Sequence, residues 1–319
     1  MGLFTTPSII RVCPEISVTN FGVEAPVRQG ARRANTLRIQ PTNNTAGQDG
    51  SAPKCSSYFR TNPKLHGVCL GILKIAHRGA MAEAPENTRT AFDKAISYRV
   101  DGIELDVQIT ADGIPVIYHD ESLAKINGRN KSIPDFTFEA LSGYDWGGWF
   151  SGDFAGEKVL TLEDVLVTYG EKTRLFIEIK AAPDKKYQRL YSQLAALVTE
   201  YIRDMIPREK INNMFILSFD PEIIKTAYFN DPELNYVLNL ETEAISVDSL
   251  NIDTGILYGY CLEYDILTRQ FVENSHHYGK KVMTYSCNTI ESIQHALDLD
   301  VDGIMTDDPG GSAWEQFQE

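Results

Sequence analysis

Charged side chains that could bind a metal ion lie on two apolar segments that we predict to be strands. Glu104 and Asp106 are two positions apart on one segment, and Glu178 and Lys180 on the other. Side chains two apart on a strand share a face. Clustered carboxylates repel unless a cation or protons neutralise them, and oxygen ligands favour hard ions such as Mg²⁺ or Ca²⁺. The pattern predicts one divalent-metal site; the alternative is surface carboxylates paired with nearby Lys or Arg.

Two histidines follow apolar segments of the same kind. His77 follows residues 73–76, and His119 follows residues 114–118. Imidazole exchanges protons near neutral pH, so two histidines can act as base and acid in one displacement. Arg78 adds a planar guanidinium that suits phosphate oxygens. A single histidine after a strand is more often structural, but two beside charged partners favour acid–base chemistry on a phosphate ester.

The elements that must position these groups alternate between strand and helix patterns. Repeated alternation implies a parallel sheet covered by helices, and about eight strands match a TIM-type (β/α)8 barrel. We expect a small insertion after the second strand and a site at the mouth where the carboxyl ends of the strands converge. The predicted strands are 73–76, 103–109, 174–180, 214–219, 236–240, 256–262, 281–286 and 303–306, and the predicted helices are 88–98, 185–205, 221–229, 267–278 and 290–299.

An internal similarity supports a repeating βα unit. Residues 100–106 and 301–307 share Val-Asp-Gly-Ile and a final Asp. Each stretch is predicted to follow a helix and open a strand, so we expect a tight turn whose geometry the glycine absorbs. The alternative is a coincidence between two turns, and neither reading carries chemistry.

The N-terminal residues 1–68 differ in composition from residues 69–319, which we predict to form the barrel domain. They are rich in proline and polar residues and show no helical or alternating period, which predicts a poorly ordered extension. Met1–Thr6 fits an N-myristoylation pattern, and the Arg- and Thr-containing composition resembles an organelle transit peptide. A plain flexible tail is the favoured alternative to both.

Composition and charge exclude several classes of protein. The net charge of -14 argues against a nucleic-acid-binding surface. The five cysteines form no Cys-x-x-Cys pair, which indicates reduced thiols and a cytoplasmic location. No apolar run approaches the ~18 residues that cross a bilayer, so we expect no transmembrane segment. The sequence does not indicate an oligomeric state.

The order and spacing of several motifs resemble the glycerophosphodiester phosphodiesterase family. The similarity extends from about residue 73 to residue 310, and although each motif is weak, their series is specific. The matching stretches are Ile75–Gly79, Ala84–Thr88, Gly102–Asp106, Asp112–Val116, His119–Glu121, Trp149–Gly156, Thr161–Leu166, Glu178–Lys180 and Val301–Pro309.

This resemblance implies a reaction and the residues that carry it. His77 and His119 would be the acid–base pair, and Glu104, Asp106 and Glu178 would bind one divalent ion, Mg²⁺ or Ca²⁺. The substrate would be a small glycerophosphodiester such as glycerophosphocholine or glycerophosphoethanolamine, and the products sn-glycerol 3-phosphate and an alcohol. Whether water attacks directly or a cyclic phosphate forms first is left open.

Further residues take roles from the same resemblance. Arg78 and Lys180 would contact the phosphate. Glu86 and Asn87 would lie in the loop after the first strand, either in the site or capping the helix that begins near Thr88.

The sequence departs from the family pattern at two places. Residues 124–130 replace an Arg-Thr-Thr-rich turn, so a phosphate contact from that loop is in doubt; Lys125 or Arg129 could substitute, or be solvated. Tyr285 and Asn288 belong to a Tyr-Ser-Cys-Asn segment that replaces Trp-Thr-Val-Asn, which predicts a retained pocket wall of altered shape.

Other functions remain open at this stage. Trp146, Trp149 and Phe150 either line the head-group pocket or pack in the core. A lysophospholipase D, or a sphingomyelinase-D-like phospholipase, on the same barrel would use the same residues with peripheral membrane contact. A non-catalytic binding barrel should lack a metal ligand or a histidine, and none is missing.

Overall fold

The computed structural model describes residues 71–241 and 252–317. The predicted N-terminal extension, with the two targeting functions considered for it, lies outside the described residues. The domain boundary at residues 68–69 stays a prediction. The strands are β1 Leu73–Ala76, β2 Gly102–Ile109, β3 Pro115–Ile117, β4 Arg174–Ile179, β5 Met214–Ser218, β6 Asn235–Leu240, β7 Gly259–Glu263, β8 Lys281–Tyr285 and β9 Gly303–Thr306. The helices are α1 Arg89–Ser97, α2 Ala124–Asn127, α3 Phe138–Ser142, α4 Leu162–Tyr169, α5 Gln188–Tyr191, α6 Leu194–Met205, α7 Pro221–Asn230, α8 Arg269–His277, α9 Ile290–Asp298 and α10 Ser312–Glu315.

Eight of the described strands form a closed parallel barrel. They pair in the order β1, β9, β8, β7, β6, β5, β4 and β2, and the pairing of β1 with β2 closes the sheet. Side chains from alternate positions of these strands fill the interior, where the rings of Phe176 and Phe215 stack with centroids 4.4 Å apart. The helices bury their apolar faces against the outside of the strands. The predicted TIM-type barrel is therefore confirmed.

The predicted insertion begins where β3 turns back along β2. The two strands pair antiparallel, with Val107 opposite Ile117. Residues 118–160 follow, and we call them the excursion. Its apolar side chains form a cluster of their own around Tyr118, Leu141 and Trp146. A bridge between Val116 and Thr161 attaches the end of the excursion to its start.

One predicted helix, residues 185–205, is wrong as a single element. It is divided into α5 and α6 after a short 3₁₀ turn. At the break, the Gln193 amide bonds the Leu190 carbonyl three residues back, and the Ser192 hydroxyl bonds the Arg189 carbonyl. These local bonds compete with the α-helical ladder.

The predicted strand 256–262 begins later, at β7. Residues 254–256 form a 3₁₀ turn in which the Asp253 carboxylate accepts a hydrogen bond from the Gly255 amide. The side chain of Asp253 therefore satisfies the backbone locally and delays the strand.

The glycines of the repeated Val-Asp-Gly-Ile motif do not absorb the turns, contrary to our prediction. The left-handed residues are Arg99 (φ 53°) and Asp300 (φ 64°), which lie before the motifs. Gly102 is required by packing, because a Cβ there would lie 2.6 Å from the Phe176 ring. The shared glycine is thus a site of close approach between strand and interior side chain.

We expect Gly102→Ala to destabilise the barrel by about 1–3 kcal/mol, because the added methyl group must displace a packed aromatic ring. The midpoint of denaturant unfolding would measure this. Gly152→Ala is the matched control, because a Cβ at Gly152 meets no atom within 4 Å. Equal stability of both variants would contradict the packing role.

Among the described residues, no helix is long and apolar enough to span a membrane.

Candidate active site

An acidic cluster lies where β2 and β4 run side by side. Asp106 pairs in register with Glu178. Glu104 lies two residues before Asp106 on β2, so the two side chains share a face. The three carboxylates are buried, and each offers an oxygen within 4.8 Å of the others. The strand alternation predicted this shared face correctly.

The cluster is electrostatically strained. Burial raises the pKa of Glu104 well above its usual value, and the charges of Asp106 and Glu178 raise it further. Burial and the charge of Asp106 likewise raise the pKa of Glu178. Burial opposes ionisation of Asp106 too, but the positive charges of Lys180 and Arg78 outweigh it and lower that pKa.

Two cationic side chains contact the cluster. The Lys180 ammonium lies 2.9 Å from Asp106 and also bonds Glu178. The Arg78 backbone amide donates to Glu104 at 3.0 Å, and its Nε lies 3.3 Å from Asp106. Both cations therefore offset part of the negative charge of the cluster.

Two asparagines hold the carboxylates. Asn87 donates to Asp106 at 2.8 Å and has a left-handed backbone (φ 59°), so the β1–α1 loop turns sharply to bring it there. Asn239 on β6 donates to Glu178 at 3.1 Å. Thr88, whose side chain accepts from the Ala91 amide, caps α1. Thr88, and not Asn87, is therefore the N-cap residue of α1.

The donor set fits a hard divalent cation. Oxygen atoms from three buried carboxylates converge, and burial together with their mutual repulsion raises the pKa of Glu104 and of Glu178, a penalty that a bound cation would offset. The Asn239 Oδ1 atom is also buried with no hydrogen-bond partner among the described residues. These residues could hold such an ion.

His77 is held next to the cluster by Asp307. Its Nδ1 lies 2.7 Å from Asp307 Oδ1, and because a carboxylate only accepts, Nδ1 carries the proton. The other ring nitrogen, Nε2, lies 3.9 Å from Glu104. Asn288 donates to the second oxygen of Asp307 at 2.6 Å and fixes it. His77 Nε2 is therefore the nitrogen available for proton transfer.

His119 is held in the same way. Its Nδ1 lies 2.9 Å from Asp120, and the hydrogen bond with His119 is the main cause that lowers the pKa of Asp120 to about 2. His119 reaches the mouth because β3 runs back along β2, so that the Tyr118 amide bonds the Asp106 carbonyl at 2.9 Å. The antiparallel return, rather than a barrel strand, positions the second histidine.

Comparison with known proteins decides the family. The model of the glycerophosphoryl diester phosphodiesterase family matches residues 77–311. A glycerophosphodiester phosphodiesterase of Caldanaerobacter subterraneus subsp. tengcongensis is 31% identical over 240 residues, covering 74% of this chain and 94% of the relative. One of Bacillus subtilis is 29% identical over 249 residues, covering 75% and 84% respectively.

This chain belongs to the glycerophosphoryl diester phosphodiesterase family.

The fold agrees with that assignment. An Oleispira antarctica phosphodiesterase, solved in complex with the product sn-glycerol-3-phosphate, superposes with a TM-score of 0.66 at 23% identity, covering 75% of this chain and 94% of that one. The chain is thus an enzyme of the phosphodiesterase class that hydrolyses glycerophosphodiesters.

The remaining pocket residues predicted for this phosphodiesterase lie around the same mouth. The Tyr285 ring is half-buried, 6.1 Å from the His77 ring. Trp149, on the excursion, is 37% exposed, and the Lys125 ammonium lies 4.9 Å from its ring centroid. Glu86 contacts Lys125 at 2.8 Å and Arg78 at 3.4 Å. Trp146 packs in the core of the excursion, so of the three aromatic residues considered for the pocket it is a core residue.

Sequence reasoning missed three residues that support the phosphodiesterase site. Asp307 was part of a recognised motif but had no role until its contact with His77, 230 positions away, was visible. Asn239 gave no signal beyond a polar residue in an apolar strand. Lys125 was considered as a substitute phosphate contact or a solvated loop charge, and its contacts with Glu86 and Asp120 were not predicted.

We expect Asp307→Asn to lower kcat by about 10- to 100-fold with little change in KM, because His77 loses the anion that orients it. A changed pH profile of kcat would separate this positioning role from a structural one. Asp308→Asn is the control, because that carboxylate lies beside Gly311 instead. Equal kcat and pH profile in Asp307→Asn and the parent enzyme would contradict the role.

Proposed function

We propose that the enzyme cleaves small glycerophosphodiesters, such as glycerophosphocholine or glycerophosphoethanolamine, to sn-glycerol 3-phosphate and an alcohol by metal-dependent acid–base catalysis. The observation that carries the proposal is a pair of histidines, His77 and His119, each held through Nδ1 by a carboxylate at the same mouth as the acidic cluster.

The two histidines would divide the proton transfers. One imidazole Nε2 accepts the proton of the attacking hydroxyl, and the other gives a proton to the departing alcohol oxygen. The carboxylates of Asp307 and Asp120 keep each ring in one orientation and stabilise its protonated form. Either histidine can serve as the base in this scheme.

The charged groups would hold the phosphate. Glu104, Asp106 and Glu178 would bind one Mg²⁺ or Ca²⁺, which supplies positive charge for a phosphoryl oxygen. Arg78 and Lys180 would contact the remaining oxygens, exchanging part of their present contacts with the carboxylates. Glu86 and Asn87 would fix Arg78 and Asp106 in position.

A second candidate is hydrolysis of a lysophospholipid on the same site. It is favoured by Trp149 and Phe150, which are 37% and 36% exposed on the excursion that also carries His119. Exposed aromatic side chains at a mouth can contact a lipid surface. The catalytic residues would be unchanged, and only the group attached to the glycerol would differ.

We expect the purified protein to release sn-glycerol 3-phosphate and choline from glycerophosphocholine, and to lose this activity in EDTA. Product release would be measured by coupled assay, with lysophosphatidylcholine assayed side by side. Exclusive turnover of the lysolipid would favour the second candidate. Undiminished activity in EDTA would remove the metal requirement, and no turnover of any diester would contradict the proposal.

A further inference from the structure

The ammonium group of Lys125 lies inside a cage of two acids and two aromatic rings. Its Nζ is 2.8 Å from Glu86 Oε1 and 3.0 Å from Asp120 Oδ2. The same atom lies 4.9 Å from the Trp149 ring centroid and 5.2 Å from that of Tyr118. Within the described residues, four side chains therefore converge on one positive charge.

This combination is the environment that recognises organic cations. Aromatic faces attract a cation within about 6 Å of the ring centroid, and the attraction is strongest where water is excluded. Glu86 and Asp120 add negative charge to the two rings. The cage would suit the ammonium end of a ligand if Lys125 did not already fill it.

The cage lies next to the reacting groups. Asp120, which contacts Lys125, also holds His119, and Glu86 also contacts Arg78. A substrate whose phosphate lies between Arg78 and His119 would therefore place one of its two alcohol groups toward Lys125.

There is little room for a second cation beside the first. The cavity lined by Glu86, Tyr118, Lys125 and Trp149 has a free volume of about 10 Å³. That is about the space of one water molecule and too little for a trimethylammonium group. A choline head group entering the cage would also meet the like charge of Lys125 at close range.

We propose that Lys125 is a specificity-determining residue, which occupies the cation cage and makes glycerophosphocholine a substrate with a lower kcat/KM than diesters with uncharged alcohols. The inference rests on the proposed function. In the parent enzyme, kcat/KM for glycerophosphoglycerol should exceed that for glycerophosphocholine. Removal of the Lys125 side chain should open the cage and shift the preference toward choline.

The kinetic test compares these two substrates in Lys125→Ala and in the parent. We expect the ratio of kcat/KM, glycerophosphocholine over glycerophosphoglycerol, to rise roughly tenfold, since a cation–π cage becomes available and a like charge is lost. Lys131→Ala is the control, because it removes an exposed lysine from the same excursion. An unchanged ratio would overturn the inference, as would an equal fall for both substrates, which indicates a phosphate contact.

A binding test does not depend on turnover. Tetramethylammonium should quench the tryptophan fluorescence of Lys125→Ala saturably, but not that of the parent, and Trp149→Phe in the Lys125→Ala background should abolish the quenching. Circular dichroism checks folding, and Lys125→Gln replaces the alanine variant if that variant is unfolded. Absence of saturable quenching in a folded variant overturns the inference. Failure of the parent to hydrolyse any glycerophosphodiester would instead contradict the proposed function.

Discussion

Replacing either of the two histidines that we propose as the acid–base pair, as His77→Ala or His119→Ala, is expected to lower kcat for glycerophosphocholine by about 10²- to 10⁴-fold, because each proton transfer loses its positioned group. KM should change little, since the proposed phosphate contacts come from Arg78 and Lys180 rather than from either imidazole. Single-turnover release of choline would measure the loss in the chemical step.

The double variant gives a sharper result than either single one. If the two histidines act in one concerted displacement, the loss in the double variant should be much smaller than the product of the single losses. His295→Ala is the matched control, because His295 is exposed on α9. A loss below about tenfold in both single variants would remove the acid–base assignment.

The second large effect is expected at the acidic cluster. Glu104→Gln keeps the shape of the side chain and its contact with Arg78 but removes a charge, so activity should fall to the level of the enzyme in EDTA. Mg²⁺ or Ca²⁺, added separately to the parent enzyme after its metal has been removed, should restore activity and raise its Tm. The activity and Tm of the variant should change little under the same additions. A variant that retains full activity would exclude Glu104 as a ligand.

The same substitution should stabilise the metal-free chain at neutral pH. Burial raises the pKa of Glu104 in the folded state, so as pH rises above the usual glutamate range the unfolded chain ionises first and folding loses free energy. Glutamine has no proton to lose, and Tm in EDTA should therefore be higher in Glu104→Gln than in the parent at pH 7–8. Glu200→Gln, on the exposed face of α6, should leave Tm unchanged.

The barrel could be predicted because its strands are short apolar runs with fixed alternation. That alternation also placed Glu104 and Asp106 on one face before any contact was known. The order of motifs assigned the two histidines to the site, but it could not show how the second one arrives. His119 depends on β3 running back along β2, a pairing direction that a three-residue strand does not reveal in its own sequence.

Contacts between distant segments could not be predicted from local patterns. Asp307 follows β9 and Asn288 follows β8, and only closure of the barrel brings both to His77. The contacts of Lys125 could not be predicted, because its partners come from three separate stretches of the chain. The errors at residues 185–205 and 256–262 have a different origin: side-chain hydrogen bonds of Ser192 and Asp253 that end or delay regular structure.

The attachment of the excursion at both of its ends has an evolutionary consequence. Val116 and Thr161 bridge at its base, so residues 118–160 leave the barrel and return at nearly one point. Lys125 and Trp149, which we propose to face the leaving alcohol, belong to this stretch, while the three acids lie on β2 and β4 of the barrel. An exchange of that stretch between homologues is expected to alter which alcohol is released and to leave the three acids in place. Because His119 and Asp120 also lie in this stretch, an exchange that keeps these two residues can change the released alcohol without loss of the acid–base pair.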